Sequence, residues 1–154
     1  MTTLASDVIA RLRGKTLATA ESCTGGGVGA ALTAVSGASA VYKGGIISYC
    51  NEIKNALLGV SAEVLESMGA VSAPVAEAMA QGARKALSAD IAVSVTGLAG
   101  PGGDEYGNPV GTVFIGYSDE KVALARHFLF SGTREEIRFQ AVNEALKLIL
   151  EQNP

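Results

Sequence analysis

Apolar positions along the chain alternate between helical and strand-like spacing. Val28, Leu32 and Val35 share one face of a helix, and a second apolar stripe follows Pro74, a residue that the first turn of a helix tolerates. Shorter apolar runs bounded by glycine and polar residues indicate strands. The pattern predicts helices at residues 7–13, 25–35, 51–58, 61–68 and 74–87 and a last helix from Thr133, and strands at 16–20, 44–49, 91–95, 110–117 and 122–130.

The order of these elements predicts the fold class. The last two strands are separated by Ser118–Lys121 and form a β-hairpin, and Thr133 and Glu136 make a capping box at the start of the last helix. The segment Leu98–Gly111 (LAGPGGDEYGNPVG) is rich in Gly and Pro and predicts a loop long enough to be functional. We therefore expect one domain over residues 1–154, a three-layer α/β/α arrangement around a mixed, mostly parallel sheet with an antiparallel hairpin near the C-terminus.

Composition narrows the classes of function. Apolar residues make up 48% of the 154 residues and aromatic residues 5%, so the core consists of small and aliphatic side chains. The net charge is −3 without a Lys/Arg run, which argues against nucleic acid as a partner. No targeting segment or long apolar stretch is present, so we expect a cytoplasmic protein that does not bind membranes. Two cysteines and one histidine offer no metal site and no disulfide scaffold.

The segment Ala20–Gly27 (AESCTGGG) joins a predicted strand to a predicted helix through hydroxyl residues and glycines. Unpaired backbone N–H groups at such a turn bind anionic or polar ligands, and glycines let the ligand approach. A helix start capped by Ser22 or Thr24 explains the segment equally well. Residues Gly25–Ala30 also satisfy G-x-G-x-x-A, with Glu52 placed for a ribose contact, as in a dinucleotide-binding module without chemistry of its own.

Lys54 is a candidate general base. The one histidine, His127, lies in an alternating strand pattern that favours a sheet-face residue, and a serine nucleophile without histidine commonly uses a neutral lysine. If Asn51 caps the helix, Lys54 is the third helical residue, where the helix dipole should lower its pKa. A solvated lysine that pairs with Glu52 or Glu63 is the alternative.

Ser39 is the serine that we pair with Lys54, because it lies about one short strand upstream of it. A turn or cap role also explains Ser39 taken alone. Arg134 and Arg138 are four residues apart, so they share a face at the N-terminal end of the last helix, where an anion would meet both side chains. The alternative is that the two arginines lie on a solvated helix face and pair with Glu135.

Four separated segments together resemble the CinA C-terminal domain family, whose PncC-type members are nicotinamide-nucleotide amidases. They are AESCTGGGVGAALTAVSGASAVYKGGIISYCNEIKNALLGV, GAVSAPVAEAMA, VSVTGLAGPGGDEYGNPVGTVFIGY and FSGTREEIR, in the family's order. The resemblance covers nearly the whole chain. It implies hydrolysis of the carboxamide of nicotinamide mononucleotide to nicotinic acid mononucleotide and ammonia, in pyridine nucleotide salvage, without a metal or cofactor.

The resemblance also implies roles for individual residues. Ser39 falls on the serine of the family's G-[SA]-S-A segment and Lys54 on the lysine of N-E-x-K, as nucleophile and general base. Arg134 follows F-S-G and is the candidate for binding the phosphate or orienting the site. The substrate-binding candidates are Ser22, Thr24, Gly25, Gly26, Tyr49, Thr96, Gly97, Gly100, Pro101 and Arg138. Ala38 stands where relatives often have a second serine, so Ser39 is the only residue with a hydroxyl group in this G-[SA]-S-A segment.

Further expectations concern activity and assembly. Many relatives carry a larger N-terminal domain associated with nucleotide pyrophosphatase activity, and these 154 residues leave no room for it, so we expect no such activity from this chain. A small-molecule nucleotide is the expected partner, together with a second copy of the chain in a homodimer. A non-catalytic nucleotide-binding or regulatory domain is the alternative function.

Overall fold

Six α-helices and five strands make up residues 3–154, the part of the chain that a computed structural model describes. In chain order they are α1 (Leu4–Arg11), β1 (Leu17–Glu21), α2 (Gly27–Thr33), β2 (Tyr42–Ile47), α3 (Asn51–Leu58), α4 (Ala62–Met68), α5 (Ala73–Ala86), β3 (Ile91–Gly97), β4 (Thr112–Ser118), β5 (Ala123–Leu129) and α6 (Arg134–Gln152). A 3₁₀ turn, Ala38–Ala40, precedes β2. The predicted domain also includes Met1 and Thr2, which lie outside the described residues.

The sheet has the strand order β2-β1-β3-β4-β5. Strands β1, β2 and β3 are parallel, and β4 and β5 continue the sheet in antiparallel pairing. The predicted mixed sheet and its C-terminal hairpin are therefore confirmed. Because the three parallel strands run the same way, their last residues, Glu21, Ile47 and Gly97, lie at one edge of the sheet, which we call the carboxyl edge.

Helices cover both faces of the sheet and enclose two apolar cores. One core combines the sheet with Val8 of α1, Leu32 of α2 and Ile149 of α6. The other combines it with residues of α3, α4 and α5, among them Leu58 and Met79. The strands β1 and β3 are buried along nearly their whole length, as expected for parallel strands covered on both faces. The predicted three-layer arrangement is therefore confirmed.

Local chemistry explains where several elements begin. The capping box of Thr133 and Glu136 is present at the start of α6, as predicted. Helix α2 begins at Gly27 and not at Gly25, because Gly25 and Gly26 adopt left-handed backbone conformations, with φ of 57° and 103°. The segment 22–26 is therefore a turn that connects β1 to α2.

The hairpin strand β5 carries His127 on the exposed side of the sheet. Its ring stacks on Phe114 of β4, with the ring centroids 4.6 Å apart. The prediction of a sheet-face histidine is confirmed. No helix among residues 3–154 has both the length and the apolar character required to cross a bilayer.

Candidate active site

A cleft of about 340 Å³ opens at the carboxyl edge of the sheet. Its walls come from the residues that follow β1, β2 and β3, from the loop between β3 and β4, and from the start of α6. The predicted site residues that line it are Ser22, Tyr49, Lys54, Thr96, Gly97, Gly100 and Arg134. A larger groove of about 590 Å³ lies at the other end of α5, but its charged side chains are all at least partly exposed.

Lys54 is the most unusual side chain in the cleft. Its side chain lies inside the protein, with 1% of the residue exposed, and it takes part in neither of the two ion pairs formed among residues 3–154. Its Nζ lies 3.0 Å from the Ser22 hydroxyl and donates a hydrogen bond of 2.6 Å to the Ser48 carbonyl. Burial lowers the pKa of the Lys54 ammonium from its ordinary value, because the charged form loses its hydration.

The cause of this pKa shift differs from the one that the sequence suggested. Cys50 occupies the N-cap of α3, so Asn51 is the first helical residue and Lys54 is the fourth, not the third. The dominant cause is burial, and the helix dipole does not have to be invoked. The solvated alternative, in which Lys54 pairs with Glu52 or Glu63, does not occur.

The structure does not form the expected pair of Ser39 and Lys54. Ser39 is exposed and lies in the 3₁₀ turn that precedes β2, whereas Lys54 follows β2. A strand of this length places the two ends roughly 15–20 Å apart, at opposite edges of the sheet. Ser39 lines a separate surface depression together with Tyr42 and Lys43. The serine that lies beside Lys54 is Ser22, at the end of the neighbouring parallel strand β1.

The backbone N–H groups at the start of α2 are occupied by the protein itself. The Glu21 carboxylate accepts hydrogen bonds from the Val28 amide at 2.8 Å, the Gly29 amide at 3.0 Å and the Thr24 hydroxyl at 2.7 Å. Glu21 is 2% exposed. These N–H groups are therefore not available to a ligand, which removes the support for an anion site at the start of α2 and for the G-x-G-x-x-A fingerprint.

The two arginines of α6 have different surroundings. Arg134 lies at the mouth of the cleft, where it donates to the Gly100 carbonyl at 2.6 Å and to the Tyr49 hydroxyl at 3.1 Å. Arg138 lies outside the cleft lining. It donates from Nε to the Cys23 carbonyl at 3.0 Å and from Nη2 to the Thr24 carbonyl at 3.2 Å.

Not every predicted binding residue lines the cleft. Thr24, Gly25, Gly26, Pro101 and Arg138 lie outside its lining. The first three belong to the turn that Glu21 closes, and Pro101 is exposed in the loop after β3. Seven further residues line the cleft without having been predicted from the sequence, namely Cys23, Asn51, Ala70, Val71, Leu98, Ala99 and Gly102. All of them belong to the four segments that carried the family resemblance, which was the signal that could have found them.

The Cys23 thiol lines the cleft but is a poor candidate for a nucleophile. Burial raises its pKa to about 11, so it is protonated near neutral pH, and the reactive form of a cysteine is the thiolate. Thr96, which also lines the cleft, donates from its hydroxyl to the Ala70 carbonyl at 2.8 Å. Thr96 therefore ties the end of β3 to the segment between α4 and α5.

Glu21→Gln tests the role of the Glu21 carboxylate in closing the turn. The amide group of glutamine turns a donor toward the N–H groups of Val28 or Gly29, and leaving one buried donor unpaired costs about 1–3 kcal/mol. We expect the free energy of unfolding, measured in urea, to fall by that amount. Glu52→Gln, at an exposed position of α3, is the matched control and should change nothing. Equal stability of both variants would show that the carboxylate does not stabilise the turn.

The chain is similar to proteins of one family over almost its whole length. The family model of the CinA C-terminal domain matches residues 1–153. A CinA-like protein of Synechococcus sp. (strain RCC307) is 51% identical over 150 residues, and the match covers 95% of this chain and 36% of that protein. A CinA-like protein of Mycolicibacterium gilvum is 47% identical over 143 residues, covering 92% of this chain and 34% of that protein. The chain thus spans about a third of the length of these curated relatives.

Two solved structures have the same fold over almost the whole chain. The competence/damage-inducible protein CihA from Agrobacterium tumefaciens has a TM-score of 0.94 at 39% identity, and the match covers 98% of this chain and 94% of that one. A competence-damaged protein (CinA) superfamily protein from Escherichia coli has a TM-score of 0.94 at 36% identity, covering 97% and 88%.

Proposed function

Because the chain belongs to the CinA C-terminal domain family, we propose that it hydrolyses the carboxamide of nicotinamide mononucleotide to nicotinic acid mononucleotide and ammonia. The observation that supports this most is the contact of 3.0 Å between Lys54 Nζ and Ser22 Oγ inside a cleft. A buried amine beside a serine hydroxyl is the arrangement that activates a serine without histidine. In this proposal Ser22 is the nucleophile, in place of Ser39.

The first step needs Lys54 in its neutral form. A neutral amine has one lone pair, and the hydrogen bond to the Ser48 carbonyl uses one of its N–H bonds. The lone pair then accepts the Ser22 proton while Oγ attacks the carboxamide carbon. The lysine becomes an ammonium, and the carbonyl oxygen of the substrate becomes an oxyanion in the tetrahedral intermediate.

The oxyanion requires donors that are already in place before the reaction. We assign this role to the backbone N–H of Cys23, the residue after the nucleophile. The Ser22 carbonyl accepts from the Gly25 amide at 3.0 Å, inside the turn. In a trans peptide the N–H points opposite to the carbonyl, so the Cys23 N–H is directed out of the turn. One such donor contributes roughly 3–4 kcal/mol to the transition state.

The second half of the reaction returns the proton. The Lys54 ammonium protonates the departing nitrogen, the C–N bond breaks, and ammonia leaves an ester on Ser22. Water then attacks this ester with neutral Lys54 as base, which releases the carboxylate product and restores the Ser22 hydroxyl. The positive charge of the pyridinium ring withdraws electrons from the carboxamide and favours the attack.

The charge of the cleft fits an anionic substrate. No Asp or Glu is among its lining residues, and Arg134 lies at its mouth. The absence of a carboxylate has two consequences. No carboxylate in the lining stabilises the charged form of Lys54, and none repels a phosphate that approaches Arg134.

Arg134→Ala tests the phosphate contact. Two of the donors of the guanidinium bind Gly100 and Tyr49, which leaves other N–H groups for a phosphate. We expect kcat/KM for nicotinamide mononucleotide to fall strongly and the residual activity on the riboside, which lacks the phosphate, to change little. Arg134→Lys should recover part of the loss, because lysine keeps the charge but not the bidentate geometry. Equal losses on both substrates would assign Arg134 to the carboxamide end or to the fold.

The reaction itself is tested by incubating the purified protein with nicotinamide mononucleotide and measuring ammonia in a coupled enzymatic assay. Release of ammonia together with nicotinic acid mononucleotide, identified by chromatography, supports the proposal. Binding of the nucleotide without release of ammonia would instead indicate a nucleotide-binding or regulatory domain.

A further inference from the structure

The turn that follows Ser22 is held from two sides by side chains of opposite charge. On one side, the Glu21 carboxylate accepts from the hydroxyl of Thr24 and from two amides of α2. On the other side, the Arg138 guanidinium donates to the carbonyls of Cys23 and Thr24. Thr24 is therefore fixed twice, through its hydroxyl by Glu21 and through its carbonyl by Arg138.

The contacts of Arg138 determine how two consecutive peptide groups are oriented. With the Cys23 and Thr24 carbonyls both directed at the guanidinium, the N–H groups of Thr24 and Gly25 must point away from it. The Gly25 N–H accordingly donates to the Ser22 carbonyl at 3.0 Å, which closes the turn directly behind the nucleophile. Arg138 thereby acts on the backbone of Ser22 through two peptide groups, although it is not itself among the residues that line the cleft.

The sequence around this turn gives it little rigidity of its own. Three glycines, Gly25 to Gly27, follow Thr24, and glycine has more backbone freedom than any other residue. The N-cap of α2 is Gly26, which makes no side-chain capping hydrogen bond. Besides backbone hydrogen bonds from Gly25 to Ser22 and from Gly27 to Thr24, the turn is held by the side chains of Glu21 and Arg138. Arg138 is separated from Cys23 by 115 positions, so its contact depends on the tertiary fold.

We propose that Arg138 is a positioning residue that holds the turn of Ser22 in the geometry required for attack, and not a ligand of the substrate phosphate. This inference rests on the proposed function for its catalytic consequence. A displacement of about 1 Å in a reacting group can lower a rate about 100-fold, so loss of Arg138 should lower kcat by that order.

Hydrogen exchange tests the positioning independently of any activity. In Arg138→Ala, amide exchange measured by mass spectrometry should become faster in peptides covering residues 22–29 and stay unchanged in the β4–β5 hairpin. Arg126→Ala is the matched control, because Arg126 is a surface arginine on β5 whose contact is an ion pair with Glu151. Unchanged exchange of residues 22–29 in a folded Arg138→Ala variant would overturn the proposal. If Arg138→Ala does not fold, the same exchange measurement is made on Arg138→Lys. One ammonium then replaces the fork of donors, so the exchange of residues 22–29 should rise by a smaller amount.

Kinetics then separate positioning from phosphate binding. Arg138→Ala should lower kcat about 100-fold for nicotinamide mononucleotide and by a similar factor for the riboside, with KM unchanged. Millimolar guanidinium should restore part of kcat in Arg138→Ala, since it can occupy the vacated position. A loss confined to the nucleotide, or seen in KM alone, would assign Arg138 to the phosphate and overturn the proposal.

The two proposals fail in different ways. If the unaltered protein releases no ammonia from nicotinamide mononucleotide, the proposed function is wrong, and the hydrogen-exchange comparison still decides whether Arg138 orders the turn. If the unaltered protein is active and Arg138→Ala keeps full kcat, the positioning role is wrong and the proposed function stands.

Discussion

Ser22→Ala is expected to abolish the release of ammonia from nicotinamide mononucleotide, whereas Ser39→Ala is expected to leave it unchanged. Ser22 carries the hydroxyl that contacts Lys54 Nζ in the cleft, and Ser39 is exposed at the opposite edge of the sheet. Removal of the nucleophile of a serine hydrolase lowers kcat on the order of 10⁶-fold. Initial rates of ammonia release, measured at saturating substrate, give the comparison.

The two serine variants are matched controls for each other, because the substitution is the same. Circular dichroism and urea unfolding should show that both remain folded. Cys23→Ala extends the comparison and should retain activity, since the Cys23 thiol is protonated near neutral pH. Activity in Ser22→Ala combined with its loss in Ser39→Ala would return the nucleophile to Ser39, and loss in Cys23→Ala alone would point to the thiol.

Lys54→Arg is expected to be as inactive as Lys54→Met. Methionine has no basic group, and the guanidinium of arginine stays protonated at every accessible pH, so neither variant accepts the Ser22 proton. Lys43→Met is the control, because Lys43 is exposed and donates to the Ser88 carbonyl away from the cleft. Substantial activity in Lys54→Arg would exclude the general-base role and leave a positioning charge.

The role of neutral Lys54 as general base also fixes how kcat/KM should depend on pH. Below the pKa of Lys54 the amine is protonated and cannot act as a base, so kcat/KM should rise with pH through that pKa and then level off. Because burial lowers this pKa, the midpoint of the rise should lie below the ordinary lysine value of 10.5. A rate that falls as the pH rises through neutrality would contradict neutral Lys54 as the active form.

Most of the fold was predictable because its signals are local. The bounds of α3, Asn51–Leu58, agree with the prediction, since the periodicity of the helix and its end at Gly59 are both encoded within a few residues. The capping box at Thr133 and the short connection of the hairpin are likewise encoded within a few residues. The start of α2 was missed because the left-handed conformations of Gly25 and Gly26 depend on how the turn is closed.

The candidate base was predictable, but its environment was not. The sequence places Lys54 near the start of a helix, where cations are usually avoided, and this position indicates a functional role. In the structure the pKa of Lys54 is lowered because the residue is buried, and burial depends on what the tertiary fold packs around it. The occupation of the α2 amides by Glu21 was likewise not visible, because a carboxylate before a glycine-rich turn is equally compatible with a ligand site.

The sequence by itself therefore determined the elements, their order, the family and one member of the proposed catalytic pair. Only the tertiary structure decided which serine lies beside Lys54. Ser39 is closer along the chain, but an intervening strand carries the chain from one edge of the sheet to the other. Ser22 is 32 residues away in sequence, yet the parallel pairing of β1 and β2 brings the ends of both strands to the same edge. Pairing of strands fixes distances between residues that local sequence patterns do not constrain, and the same holds for the contact of Arg138 with the turn after Ser22.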